Sequence, residues 1–155
     1  MALEVTELGS GDTLVAFVHG VLGSGRSFDR VADLLGVLDG RRAAVVGHSF
    51  GGVTALGAAA RAPELVAALV LCETGAAWVP AWDDGVMRDV LGDEDPEGAG
   101  LRVMLGDRYD TMSDDERVRR RVDASAFIAE ETSVRTGTPP FAVADIQAPL
   151  VYAKE

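Results

Sequence analysis

The sequence predicts an α/β fold in which a mostly parallel sheet is connected by crossover helices. Three apolar segments rich in β-forming residues, at 13–18, 42–46 and 65–71, are typical of buried strands. The segments between them have helical periodicity or a small-residue composition that suits a tightly packed helix. Strands that alternate with helices favour βαβ units, a parallel sheet and right-handed crossovers.

The first elements follow from local signals. Residues 3–8 alternate loosely and precede the turn at 9–12, so we expect an N-terminal hairpin with the first buried strand. Ser27 is a candidate N-cap for a helix that reaches about Leu38. One face of this helix collects the apolar side chains of Val31, Leu34, Leu35 and Leu38. A second helix, from Phe50 to about Arg61, ends before Pro63.

The segment 76–142 is acidic and is predicted to be helical. Val86 and Val90 continue a four-residue spacing that begins at Trp82, and residues 93–100 are interpreted as an acidic, glycine-rich loop. Ser113 and Glu116 form a capping box. The helix that it opens is expected to direct the side chains of Val118, Val122 and Phe127 inward. One more strand is predicted at 146–153.

Composition limits the function classes. The 155 residues suit one domain with a real core, and 48% hydrophobic with 25% charged residues is ordinary for a globular protein. The net charge of −11 argues against nucleic acid and against an anionic membrane surface. The basic cluster at 117–121 is interpreted as a solvated helix face with internal ion pairs. The longest apolar run, 65–72, is too short to cross a bilayer.

The single cysteine, Cys72, excludes an internal disulfide and a metal site built from several cysteines. We interpret Cys72 as a small core residue. Since the N-terminus carries no secretion signal, we expect a cytoplasmic protein. No metal and no other cofactor is expected.

The most informative motif is G-x-S-x-G within Gly47-His48-Ser49-Phe50-Gly51-Gly52. It joins a predicted buried strand to a predicted helix, which is the arrangement that lifts a serine hydroxyl out of a fold as a nucleophile. Glycines 51 and 52 leave room for the close packing that such a turn needs. A second glycine-rich loop follows the strand that ends at His19-Gly20, and its backbone N–H groups are expected to face the same oxyanion.

Three segments together resemble the α/β-hydrolase superfamily. They are Phe17-Val18-His19-Gly20, residues 45–52, whose sharp turn at Ser49 is here called the elbow, and residues 68–73. The resemblance implies an acyl nucleophile at Ser49 and oxyanion donors at the N–H groups of Val21 and Phe50. Glu73 stands where some members place the catalytic acid, and the alternative interpretation is a carboxylate at the end of a strand that faces water. The resemblance further implies a core of residues 1–75 and 144–155 and a helical lid at 76–143. Trp78 and Trp82 are expected in the core of that lid.

The chain also departs from the family pattern. Between Gly20 and Gly47 there is space for one helix, so a strand and its loop are expected to be missing. The sequence stops at Glu155, about where the acid loop would begin, so the strand and loop that bear the catalytic histidine are not in it. His48 precedes the serine and is expected to be packed and hydrogen-bonded. His19 is expected to hold the oxyanion loop.

The leading interpretation is therefore a shortened serine hydrolase that acts weakly, or not at all, on small apolar or ester-like substrates. The alternative is a non-catalytic binding module with a hydrolase-like fold, or a truncated gene product. Because one helix between adjacent strands places the helices on one side, we expect an apolar sheet face or an open sheet edge. Such a surface favours self-association.

Overall fold

The computed structural model describes residues 6–8, 10–20, 27–75, 79, 85–136 and 141–153. These residues fall into two compact units, one built on the sheet and one made of helices. The elements of the sheet unit are β1 Leu14–Val18, α1 Ser27–Leu38, β2 Ala43–His48, α2 Phe50–Arg61, β3 Val66–Cys72 and β4 Leu150–Ala153. A 3₁₀ turn, Val143–Asp145, precedes β4. The helical unit contains α3 Val86–Gly92, α4 Pro96–Leu105, α5 Arg108–Thr111 and α6 Asp114–Thr136.

The four strands form a parallel sheet in the order β1-β2-β3-β4. Val45 is registered with Ala16 on one side and with Leu69 on the other, and Leu69 is registered with Leu150. Between β1 and β2 the described residues contain one helix, α1, as the spacing predicted. The predicted parallel α/β fold is confirmed.

One face of the sheet forms the core of this unit. The α2 helix packs against β1, β2 and β3, and α1 packs against α2. Val45, Leu69 and Leu71 are buried beneath them. Gly57 allows the two helices to approach closely, because a Cβ there would lie 2.7 Å from Cγ2 of Val31.

The other face of the sheet, here called the open face, is exposed. It consists of the alternate residues Val15, Phe17, Ala44, Val46, His48, Ala68, Val70, Cys72, Val151 and Ala153. Phe17 is 78% exposed and Val151 is 62% exposed. The side chains on this face are apolar except for His48. The expected exposed apolar sheet face is therefore confirmed.

The helical unit has its own small core of Leu101, Tyr109, Met112 and Ala124, with Leu105 packed against it. Arg102 and Arg117 place their guanidinium carbons 5.0 and 5.5 Å from the centroid of the Tyr109 ring. Cations at this distance are attracted by the face of an aromatic ring. The ring therefore links α4 and α6 through both packing and charge.

An ion pair joins the beginning of α4 to the middle of α6. Asp95 is the N-cap of α4 and accepts a hydrogen bond from the Gly98 N–H at 3.2 Å. Arg121 donates to both carboxylate oxygens of Asp95. These hydrogen bonds from Arg121 lower the pKa of the Asp95 carboxyl, and the carboxylate in turn raises the pKa of Arg121.

Two predicted elements are wrong, and a third lies largely outside the described residues. Residues 93–100 are not a loop, because the Asp95 cap and Pro96 at the first helical position start α4 there. The last strand begins at Leu150 and not at Ile146, after a 3₁₀ turn and Pro149. Of the predicted N-terminal hairpin, residues 6–8 form no strand, and residues 1–5 and 9 lie outside the described residues.

The α6 helix begins as predicted, with the Glu116 N–H donating to Oγ of Ser113 at 3.3 Å. The predicted inward direction is wrong for Val118, which is 63% exposed, and for Val122, which is 66% exposed, whereas Phe127 is half-buried. Ala124 is buried instead, because α6 is turned so that Arg121 reaches Asp95. No helix among the described residues is long and apolar enough to cross a membrane.

The basic cluster is in part the solvated, ion-paired face that the sequence predicted. Arg120 lies 4.0 Å from Glu116, and Arg117 lies 3.9 Å from Asp114. Arg117 also donates to the backbone carbonyl of Met112 at 3.2 Å. The cluster therefore ties α6 to the preceding loop in addition to forming pairs within the helix.

Candidate active site

The turn between β2 and α2 holds Ser49 in a left-handed backbone conformation, with φ 51° and ψ −124°. The Ser49 N–H donates to the carbonyl of Cys72 at 2.9 Å, and the Gly52 N–H donates to the Ser49 carbonyl at 3.0 Å. Positive φ is strained for a residue with a side chain, and it persists where the surroundings enforce it. The Ser49 side chain does not cap α2 and is partly exposed. Its hydroxyl therefore remains available for chemistry.

The two glycines after the serine are required by close packing. A Cβ on Gly51 would overlap the carbonyl of Val18, and a Cβ on Gly52 would overlap the side chain of Thr74. A Cβ on Gly47 would lie 2.5 Å from Cα of Gly52. The motif glycines thus allow the end of β1, the turn at Ser49 and the side chain of Thr74 to lie in contact.

The loop after β1 passes directly beside the serine. A Cβ on Gly20 would lie 2.7 Å from Cβ of Ser49 and 3.1 Å from its Oγ. The structure therefore brings together the two glycine-rich motifs that the sequence singled out. Phe50 opens α2, where backbone N–H groups carry the positive end of the helix dipole. The other expected oxyanion donor, Val21, lies outside the described residues.

His19 is exposed, and its Nδ1 lies 2.9 Å from the carbonyl oxygen of Gly20. Because a carbonyl only accepts, Nδ1 must carry the proton and donate. In the neutral ring this leaves Nε2 as the basic nitrogen. This hydrogen bond joins His19 to its own neighbour, Gly20.

Thr74 is a supporting residue that sequence reasoning missed. It is fully buried, it fills the space over Gly52, and its hydroxyl donates to the Cys72 carbonyl at 3.4 Å. Tyr152 of β4 donates from its hydroxyl to the Thr74 carbonyl at 3.1 Å. The usable signal was a small polar residue placed two positions after the end of a buried strand.

Glu73 follows β3 at the same sheet edge at which Ser49 follows β2. It also has a positive φ of 51°, its side chain is exposed, and its N–H donates to the Ala153 carbonyl at 2.9 Å. Parallel strands end at one edge, so the two residues belong to neighbouring strand ends. Glu73 therefore places a carboxylate-bearing side chain at the edge of the sheet that carries Ser49.

Two interpretations of neighbouring residues are wrong. His48 is exposed on the open face and is not packed, because that face has no helix over it among the described residues. Cys72 is a free, partly exposed thiol on the same face and not a core residue. Both follow from the alternation of side chains along a strand.

Trp78 and Trp82 lie outside the described residues. In the described ranges, no three His, Cys, Asp or Glu side chains are grouped to hold a metal ion.

Comparison with known proteins agrees with this geometry. A sequence model of the alpha/beta hydrolase fold matches residues 31–122, more than half of the chain. No curated protein resembles the chain closely enough to match.

Among solved structures, the chain is similar to NosK from Streptomyces actuosus, with 20% identity and a TM-score of 0.56 over 92% of this chain and 76% of that chain. The enol-lactonase from Burkholderia xenovorans LB400 is 15% identical, with a TM-score of 0.54 over 92% and 72% of the two chains. Est816, described as an N-acyl homoserine lactone degrading enzyme, is 16% identical, with a TM-score of 0.52 over 93% and 74%. At these identities the likeness is one of fold. The sequence match shows that the chain belongs to the alpha/beta hydrolase family.

Proposed function

We propose that this protein is a serine hydrolase that attacks small apolar, ester-like acyl substrates through Ser49. The observation that carries the proposal is the strained elbow, which presents a hydroxyl that does not cap the helix behind it. The backbone of Gly20 lies beside that hydroxyl, so an acyl carbon at Oγ would sit next to the loop after β1. Two of the similar solved structures are described as lactone-directed, which supports a carboxylic ester or lactone class.

In the proposed reaction, Oγ of Ser49 attacks the acyl carbon and its proton passes to water, while the N–H groups of Val21 and Phe50 stabilise the oxyanion. The acyl–oxygen bond of the ester then breaks and the alcohol leaves, and water hydrolyses the acyl-enzyme to release the carboxylic acid and restore Ser49. Glu73 is the candidate acid. The segment that contains α3–α6 is proposed as the lid of the enzyme. We also propose a cytoplasmic setting.

We expect this activity to be weak, because the serine is not hydrogen-bonded to a base. No hydrogen bond joins Oγ of Ser49 to His19 or His48 in the described part of the chain. Binding and an oxyanion hole without a complete triad leave an acceleration of about 10³–10⁴ over water. The same observation favours the second candidate, a non-catalytic module that binds the acyl compound without turning it over.

The test is reaction of the purified chain with a fluorophosphonate probe, read by intact mass, beside a Ser49→Ala control. We expect slow, stoichiometric labelling that the control abolishes, because the probe reports the nucleophile directly. Labelling no faster than in the control would reject Ser49 as nucleophile and leave the binding module. Labelling within seconds would show that an efficient base activates Ser49 and would reject the proposal that the activity is weak.

A His19→Gln variant then tests whether His19 acts as the general base for Ser49. We expect its labelling rate to stay within twofold of the parent, since Nδ1 of His19 is held by the Gly20 carbonyl and Nε2 is not bonded to Ser49 in the described residues. A tenfold or greater loss, accompanied by loss of a pH dependence near neutrality, would instead make His19 the general base.

A further inference from the structure

The open face combines large exposed apolar side chains with an absence of ionic charge. Val15 is 45% exposed, Phe17 78% and Val151 62%. The ten positions of this face, defined above, include no Asp, Glu, Lys or Arg. Contiguous apolar surface of this kind marks an interaction site in folded proteins.

The charge of the chain indicates which partner suits this surface. The protein carries a net charge of −11, so most of its exterior attracts cations and repels anions. A basic partner would be drawn to the acidic exterior and not to this neutral patch. A second copy of the chain is repelled everywhere except where two neutral faces meet. Sheets stack face to face about 10 Å apart, which keeps the acidic surfaces of two copies on the outside.

The area of the face sets the strength of such a contact. Strands about 4.8 Å apart with about 3.3 Å per residue give a four-stranded patch of roughly 300 Å² in projection. Two patches in contact therefore remove roughly 600 Å². Specific stable interfaces begin at about 1,200 Å². The contact therefore suits a weak, reversible dimer and not an obligate one.

We propose that the open face is the interface of a twofold dimer of this chain, in which the two apolar sheet faces pack against each other. A twofold contact uses the same patch on both copies, so each alternate-residue row meets the corresponding row of the other copy. Phe17 and Val151, on the two edge strands, lose the most exposed apolar surface.

The first experiment is sedimentation equilibrium from about 5 to 500 μM at neutral pH. We expect a monomer–dimer equilibrium that Val151→Asn and Phe17→Gln each weaken at least tenfold without changing net charge. Val122→Gln is the matched control, because Val122 is equally exposed at 66% but lies on α6. The control should leave the dissociation constant within twofold. A monomer throughout, or equal weakening by the control, would overturn the proposal.

Salt dependence supplies an independent sign. Because the two copies are like-charged and the contact is apolar, screening should strengthen association severalfold between about 20 and 300 mM NaCl. An interface held by ion pairs would weaken over the same range, and that result would contradict the apolar contact.

Cys72 reports on the face directly, because it lies on the open face and is partly exposed. Its alkylation by iodoacetamide should slow severalfold as the protein concentration rises through the dimer range, and Val151→Asn should remove this slowing. The fold of each variant is checked by circular dichroism. Alkylation that is equally slow at every concentration would mean that the face is covered within one chain, which rejects the dimer.

Discussion

Ser49 keeps its strained conformation because residues from two other segments, at the ends of β1 and β3, surround the turn. The backbone of Gly20 lies against the Ser49 side chain, and the Cys72 carbonyl accepts a hydrogen bond from the Ser49 N–H. The Thr74 side chain fills the space over Gly52. A left-handed non-glycine residue costs about 1–3 kcal/mol, which these contacts must offset. The G-x-S-x-G motif identifies Ser49 as the strained residue, whereas the contacts that hold its backbone come from segments distant in sequence.

Gly52→Ala should therefore destabilise the protein by about 1–3 kcal/mol, as overpacking does. The control is Gly36→Ala in α1, where a Cβ meets nothing within 4 Å. That change should stabilise the protein by about 0.5–1 kcal/mol, since alanine favours a helix. Urea unfolding of both variants measures the difference. Equal effects at the two sites would show that the Thr74 contact does not matter.

A double variant isolates the contact itself. Thr74→Ala removes two of the three atoms nearest to the Cβ that Gly52→Ala adds. The combined cost should be smaller than the sum of the two single costs by at least about 0.5 kcal/mol, because neighbouring residues are not independent. Additive costs would contradict direct contact.

At the scale of the element, α4 and α6 show how polar contacts orient helices. Local sequence signals specify where α4 starts, since Asp95 is an N-cap residue and Pro96 fits the first turn. The sequence does not specify which side of α6 is buried, because Val118 and Val122 have the spacing of a core face yet are exposed. The pairing of Arg121 with Asp95 and the packing of Ala124 decide that rotation.

Asp95→Asn should cost about 0.2–1 kcal/mol, since it keeps the cap but removes a charge from a pair that is more than a third exposed. Asp95→Ala should cost about 1 kcal/mol more, because the cap is lost too. Urea unfolding compares the two variants with the parent, and equal costs would show that the Gly98 hydrogen bond contributes nothing.

The pH dependence of this pair has a definite sign. The folded pKa of Asp95 lies below its ordinary value of 3.8, so the pair stabilises the fold above about pH 4. That contribution is lost as the pH falls from about 4 through the lowered pKa. The gap in unfolding free energy between the parent and Asp95→Asn should therefore shrink below pH 4. A gap that grows in acid would contradict the direction of the shift.

At the scale of the whole molecule, net charge and the open face act against each other. A charge of −11 keeps copies apart, and the exposed apolar sheet face favours their contact. Lowering the pH to about 4.5 protonates carboxylates and removes most of the repulsion. Light scattering should rise steeply between pH 6 and 4.5, and Val151→Asn should reduce the rise. Identical curves for the two proteins would show that the open face is not involved.

The sequence by itself determined the alternation of strands and helices, the parallel sheet, the elbow serine and the single helix found between β1 and β2 in the described residues. These features depend on periodicity, spacing and turn residues, which are local. Only the tertiary structure decided that Thr74 covers Gly52, that Gly20 lies against Ser49, and which side of α6 is buried. These depend on which distant surfaces meet, and packing between segments selects one arrangement among several that local patterns permit equally.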